Sequence, residues 1–330
     1  MFVVSNTSDS GPGTLRQAIL SANAQIATGG TACAPHQINF NIPGAGPHTI
    51  QPLAALPPIL TTIVFNGFSQ PGSVPNSASQ GNNSVLKIEL DGTFAGFADG
   101  LKFSATVPGG APGCSGNLSE VRGLVINRFL GAAIRNESPC VPPAVCQVGG
   151  LRILGNFIGT DVSGAIALGN GFGGTPSPGI AFGANSTVNI VGDDAFEEGG
   201  TIATGHRNVI SGNALDGVYI GSPPGRAAAF DHCIRNNTIG LNAAGTAALP
   251  NGRHGVFADA GSDGVRLQDN LISGNMGDGV RVLANLSPAN LLRRARTGTT
   301  TILPQHLTSG QSGTATILRP RIMAVPDCRD

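Results

Sequence analysis

The sequence predicts an all-β fold: a right-handed, single-stranded parallel β-helix, or solenoid, with a capping helix at its N-terminal end. Three observations predict it. The 330 residues include 49 Gly and 23 Pro, no Trp, one Tyr and 12% charged residues, while 40% are hydrophobic, so the chain is turn-rich yet able to bury a core. Internal segments recur at fixed offsets. The recurring units read as short strands of the form GVxI between Asn, Gly and Asp turns, with no crossover helices.

Residues 1–30 form the first unit. The turn SGPG leads into TLRQAILSANA (14–24), whose spacing places Leu15, Ala18, Ile19 and Ala22 on one helix face. An open solenoid end exposes core and strand edges, so this helix is expected to cover it.

Residues 31–285 read as coils with inserted loops. RILGNFIGTDVSGAIALGNG (from Arg152) recurs as CIRNNTIGLNAAGTAALPNG (from Cys233), offset by 81, pairing Asn156 with Asn237, Ile158 with Ile239 and Asn170 with Asn251. RNVISGNALDGVYI (from Arg207) recurs as DNLISGNMGDGVRV (from Asp269), offset by 62, pairing Asn208 with Asn270 and Asn213 with Asn275. GVFA at 255–258 and GVRV at 279–282 lie 24 residues apart, about one coil of a three-sided parallel β-helix. From GVYI at 217 the gap to GVFA is 38, one coil plus an inserted loop, LNAAGTAALPNG. Asn156, Asn208, Asn213, Asn237, Asn270 and Asn275 are expected to serve the architecture, their amides bonding between coils at tight bends. Residues 286–330 lose the Asn-Gly turns and read as a cap, a basic tail or an altered gene end.

Several classes are disfavoured. Basic and acidic residues balance at 19 each, which removes the general attraction a nucleic-acid or anionic-membrane partner needs. No apolar run is long enough for a transmembrane segment. The six cysteines show no CxxC and no Cys/His spacing for zinc; Cys140 and Cys146 flank a short Pro-rich segment suited to a small disulfide loop, with two reduced structural cysteines as the alternative. Met1 is followed at once by FVVSNTSDSGPG, without the basic and apolar regions of a signal peptide, so an export signal is expected to be missing from this chain.

FVVSNTSDSGPGTLRQAILSANA resembles the N-terminal CSLREA-type motif of bacterial exported proteins, and INFNIPGAGPHTIQP, FNGFSQPGSVPNS, VRGLVINRF, GNFIGTDVSGAIALGNG and RNVISGN extend the resemblance from Phe2 to about Leu283. Thr14 and Gln17 stand where that group usually carries Ser and Glu. The resemblance implies a pectate-lyase-like right-handed β-helix, extracellular or on the cell surface, and implies no reaction. Such scaffolds host unrelated functions.

Chemistry must therefore be sought in the residues. GxSxG, P-loop, GxGxxG and HExxH motifs are absent, which disfavours serine esterase, nucleotide-binding and zinc-protease readings. VGDD (Asp193, Asp194) and GHRN (His206, Arg207) resemble in order the DD and GHG elements of polygalacturonase-type β-helices, although Arg207 replaces the second Gly and no RIK follows. For a polysaccharide lyase, an activity often helped by Ca2+ held on acidic side chains, Arg207, Arg253 and Arg266 are candidate basic residues, with His232 and His254 as alternative bases near Asp231 and Asp259. If Val218, Ile220, Val256, Ala258, Val280 and Val282 point inward, Tyr219, Phe257 and Arg281 form an outward column able to hold a sugar ring, with Arg253 and His254 beside it. With no convincing catalytic pair, the residues favour an adhesive or structural module that binds a polysaccharide or cell-surface glycan. The alternative is a carbohydrate-active enzyme, a polysaccharide lyase or glycoside hydrolase, acting in a groove along the helix.

Overall fold

Successive coils lay their strands in parallel, each on the one before, as the computed structural model shows for residues 1–25, 35–104, 119–138, 148–174, 176–193, 203–222, 229–260 and 262–283. Sheet A has eight strands, from Phe2–Val4 to Arg266–Gln268; sheet B has seven, from His48–Ile50 to Leu271–Ile272. Sheet C has six: Leu101–Phe103, Ile134–Asn136, Ile180–Phe182, Val218–Ile220, Val256–Ala258 and Val280–Val282. All inter-strand ladders are parallel, and the chain visits A, B and C in that order, the topology of a right-handed parallel β-helix. A fourth sheet, D, departs from the three-sided expectation: four two-residue strands, including Ser186–Thr187 and Ser262–Asp263, line the corner where the chain returns from C to A.

Alternation follows the sequence pattern. Leu101, Ile134, Ile180, Val218, Val256 and Val280 are buried in one apolar column of sheet C. Each is worth about 1.5–3 kcal/mol of apolar burial, so the column is a large share of what holds the coils together. Val282, expected inside, is instead 42% exposed on the last described strand.

The offsets of 81 and 62 each span two coils. Asn156 pairs through Asn208 to Asn237, and Asn208 through Asn237 to Asn270. Two of the related loops carry the hairpin bridges Thr160↔Ala167 and Leu241↔Ala248, and they meet where Ala243 N–H donates to Gly164 O at 2.8 Å across the short Gly212 turn between them. Long loops on alternate coils thus fold over a short one, which is why the stronger sequence repeat is twice the coil.

The Asn residues build buried ladders. In Asn156–Asn208–Asn237–Asn270 each Asn carbonyl accepts from the preceding coil, and Asn170–Asn213–Asn251–Asn275 repeats the scheme at the B–C corner. All eight are buried, so the ladders satisfy backbone groups that water cannot reach.

The helix runs Leu15–Ala24 and buries Leu15, Ala18, Ile19 and Ala22 against the first coils. Thr14 caps it by accepting from Gln17 N–H at 3.2 Å, so Thr performs the capping role of Ser. Arg16 fixes its position through Asp9 (2.6 Å) and the Ala54 and Ala55 carbonyls. Cys233 is disulfide-bonded. The Cys140–Cys146 loop, Asp194 and residues 286–330 lie outside the described residues.

Candidate glycan-binding face

The candidate residues fall in three separate places. At the A–B corner, Asp193 is buried with Oδ1 3.5 Å from His206 Nδ1, while Oδ2 accepts from Ala203 N–H at 3.0 Å. Arg207 beside them is a clamp. Its guanidinium donates to the Gly81, Ser79 (2.9 Å) and Ala78 carbonyls and to Asn236 Oδ1 (3.1 Å), tying the 76–84 loop to the coils. Burial lowers its pKa, but its donors face protein acceptors, which suits a staple more than a base.

At the D–A corner, Asp231 adopts a left-handed backbone (φ 57°) and lies 4.0 Å from Arg266. His232 is turned away from it, wholly buried, stacked on Phe182 at 4.9 Å and hydrogen-bonded to Asn189 Nδ2. It ends a third ladder, Asn136–Asn189–His232. Burial pushes its pKa down to about 3, so the ring is a neutral core group out of reach of any substrate.

The third place gathers five candidates. Register puts Tyr219, Phe257 and Arg281 in one outward column of sheet C, continuing Lys102, Arg135 and Ala181 of earlier coils. The corner position before each strand forms a second column: Asp216, His254 and Asp278 each precede a Gly-Val pair. The Gly is required by close approach, since a Cβ on Gly217 would stand 2.7 Å from Gly255 O and one on Gly255 2.5 Å from Gly279 O.

Asp216 has no solvent exposure and organises the cluster. It accepts from Arg253 through Nε (3.0 Å) and Nη2, and from His254 N–H at 3.1 Å. This pairing raises the Arg253 pKa and lays the guanidinium 4.5 Å from the Phe257 ring centroid. Phe257 is itself buried, packed edge-on against Tyr219 at 5.7 Å and tilted against His254 at 5.5 Å. Phe257 is therefore the floor of the site, and Arg253 and the half-buried Tyr219 are its surface. Tyr219 Oη donates to Asp259 Oδ2 at 2.9 Å. Asp278 lies 3.4 Å from His254 Nδ1 and 3.6 Å from Arg281.

Proton positions decide what this cluster can do. Asp278 N–H donates to His254 Nδ1 at 2.9 Å, so the neutral ring, in a side chain that is itself buried, carries its proton on Nε2. Burial lowers the His254 pKa against the pull of Asp216 and Asp278, which favours that neutral form. Burial and the Asp259 bond raise the Tyr219 pKa, keeping the phenol protonated. At neutral pH Arg253 and His254 Nε2 are thus donors, while Tyr219, its hydrogen committed to Asp259, has oxygen lone pairs left to accept with. Asp259 follows the strand Val256–Ala258 and Asp278 precedes the next one, so their backbones lie on the order of 15 Å apart along extended chain. Two-carboxylate glycosidases hold theirs about 5–9.5 Å apart. Among the described residues no group of three or more His, Cys, Asp or Glu side chains is placed to hold a metal ion.

No family model matches the sequence. No curated protein matches it either. Among solved structures the fold is similar to a mutant of the periplasmic alginate epimerase AlgG (13% identity, 78% of this chain, 63% of that chain, TM-score 0.32). It is also similar to the Dettilon tailspike protein gp208 (13%, 82% and 55%, TM-score 0.27) and to the A-module of the Azotobacter vinelandii mannuronan C-5 epimerase AlgE4 (11%, 86% and 74%, TM-score 0.24). The chain spans less than two thirds of the first two, and no residue correspondence is drawn from any of them.

Two residues of the cluster, Asp216 and Asp278, were absent from the sequence-based site, which named Asp259 only as a neighbour of His254. Asp216 and Asp278 read as turn residues in repeated Asp-Gly-Val motifs. The signal was present in His254-Gly-Val at the same position, since one column of Asp, His, Asp puts polar groups on a shared edge.

Proposed function

We propose that this chain is a non-catalytic, polysaccharide-binding β-helix, exported or displayed at the cell surface, which engages a neutral glycan on the sheet C face around Tyr219, Arg253 and His254. The observation supporting this reading is a pre-set hydrogen-bonding group: Arg253 is fixed as a donor by Asp216, Tyr219 is held protonated by Asp259 with its oxygen left to accept, and the buried His254 beneath them carries its proton on Nε2. A fixed donor and acceptor pair, Arg253 and Tyr219, over an aromatic floor suits sugar hydroxyls, which both donate and accept, because hydrogen bonds are formed without reordering the protein. A lyase needs a base here, and the Tyr219 phenol stays protonated, Arg253 stays charged and His254 Nδ1 is occupied by the Asp278 N–H.

Charge favours an uncharged ligand. Arg253 and Arg281 face three carboxylates, Asp216, Asp259 and Asp278, so the face has no positive excess to attract a polyuronate. Export rests on the CSLREA-type resemblance of residues 2–24. Affinity electrophoresis of the folded protein through gels containing neutral glucans, mannans, xylan or polygalacturonate tests the reading. Retardation by a neutral polymer, weakened in Arg253→Ala, is expected; retardation by polygalacturonate alone would overturn it.

A further inference from the structure

The edge that carries the proposed site continues toward the N-terminus into a second one. A cleft of about 210 Å3 opens at the B–C corner of the earlier coils, lined by Phe97, Ala98, Asp99, Leu130, Gly131 and Ser177. It is smaller than the roughly 300–1,000 Å3 of drug-sized ligand pockets, which suits a single ring. Phe97 is 82% exposed, and Phe94 (56%) and Phe172 (66%) are exposed on the same run of corners. Burial would be the default for such side chains, and a row of them at a rim marks a contact surface.

Asp99 stands in the same corner column as Asp216, His254 and Asp278, two residues before the inward Leu101 as they precede Val218, Val256 and Val280. It is fixed in the same manner. Oδ1 accepts from Ala132 N–H and Oδ2 from Arg135 Nε, both at 2.8 Å, leaving further lone pairs for a ligand hydroxyl. The corners between the two places stack directly: Gly131 N–H bonds to Ala98 O, Gly173 to Leu130 O, Ala214 to Asn170 O and Arg253 to Leu215 O. From the Leu130 corner to the His254 corner is three coil steps, about 14 Å at the spacing of adjacent strands.

We infer that the Phe97–Asp99 cleft is a second sugar subsite, and that the ligand is an extended neutral polysaccharide lying along the solenoid axis across both places. One ring stacks on Phe97 with its hydroxyls on Asp99 and Ser177, while a later ring meets Arg253, His254 and Tyr219. Asp99 is neutralised by Arg135, so this subsite, like the first, has no excess charge for a polyanion. Two subsites on one chain of sugars bind the second at a high effective concentration, so affinity should rise steeply once the oligosaccharide spans both.

This inference rests on the proposed glycan-binding reading, and calorimetry separates the two. The probes are di- and hexasaccharides of β-1,4-glucan, α-1,4-glucan, β-1,4-mannan and β-1,4-xylan, titrated into wild type, Phe97→Ala and Arg253→Ala. Phe97 is exposed, so its truncation leaves the core intact. The expected result is one hexasaccharide bound at least tenfold tighter than its disaccharide, weakened about tenfold by each substitution. A hexasaccharide weakened by Arg253→Ala and unaffected by Phe97→Ala would overturn the second subsite and leave the first. Binding that ignores Arg253→Ala, or no binding by any probe, would overturn both.

Discussion

Arg253 and Asp216 form a two-point ion pair across adjacent coils, with Asp216 wholly enclosed and Arg253 held against the face of Phe257. The pair is the joint between fold and site: its acid belongs to the corner column, and its base is the surface offered to a ligand. Arg253→Ala would leave an enclosed carboxylate without its partner. Losing one partner of a fully buried pair costs about 3–5 kcal/mol, and solvent around the guanidinium reduces this to about 2 kcal/mol here. Urea unfolding of Arg253→Ala, Asp216→Ala and the double variant should show the double costing less than the two singles together.

His232 gives the protein an acid-sensitive core. Its folded pKa of about 3 lies below the ordinary 6.5, because burial disfavours the charged ring. Between these values the unfolded chain takes up a proton that the folded chain refuses. The stability His232 secures is therefore full above about pH 6.5 and is lost as pH falls toward 3, by on the order of 5 kcal/mol in total. His232→Asn would continue the Asn136–Asn189 ladder with a group that does not titrate. Its advantage over wild type in urea midpoint should grow between pH 7 and pH 4.5; an equal difference at both would contradict the assignment.

The Asn ladders should be the most costly polar positions to truncate. Asn208→Ala deprives Asn156 N–H, Ile153 O and Asn237 Oδ1 of partners inside the protein. At about 1–3 kcal/mol for each unsatisfied buried group, a loss of about 3–6 kcal/mol is expected from denaturant unfolding.

Arg207→Ala should act locally. The 76–84 loop loses its guanidinium staple while the coils keep their ladders, so amide exchange should rise across residues 77–84 and global stability should fall by only about 1 kcal/mol.

Much of this was legible in the sequence because a solenoid writes its cross-section into the spacing of its residues. The GVxI alternation placed Tyr219, Phe257 and Arg281 outward, and the coils do stack them in one column. The Asn spacing gave the ladders, although at twice the coil, since the hairpin loops repeat on alternate turns. What sequence reasoning missed depends on contacts without periodicity. Arg207 reaches carbonyls about 126 residues earlier, a partnership no motif encodes. Asp231 and His232 are chain neighbours that diverge, one at a left-handed corner and one in the core, so adjacency suggested a pair that the backbone separates. The Phe97 cleft arises where three coils meet, and no single segment announces it.

The central claim, a pre-set hydrogen-bonding face that binds without catalysing, is tested most directly by incubating the folded protein with the polysaccharide that retards it while following reducing ends and absorbance at about 235 nm, with Arg253→Ala in parallel. The account predicts binding that depends on Arg253 and no product from either protein. Product formed by wild type and lost in Arg253→Ala would contradict it, and would make the same cluster a catalytic one.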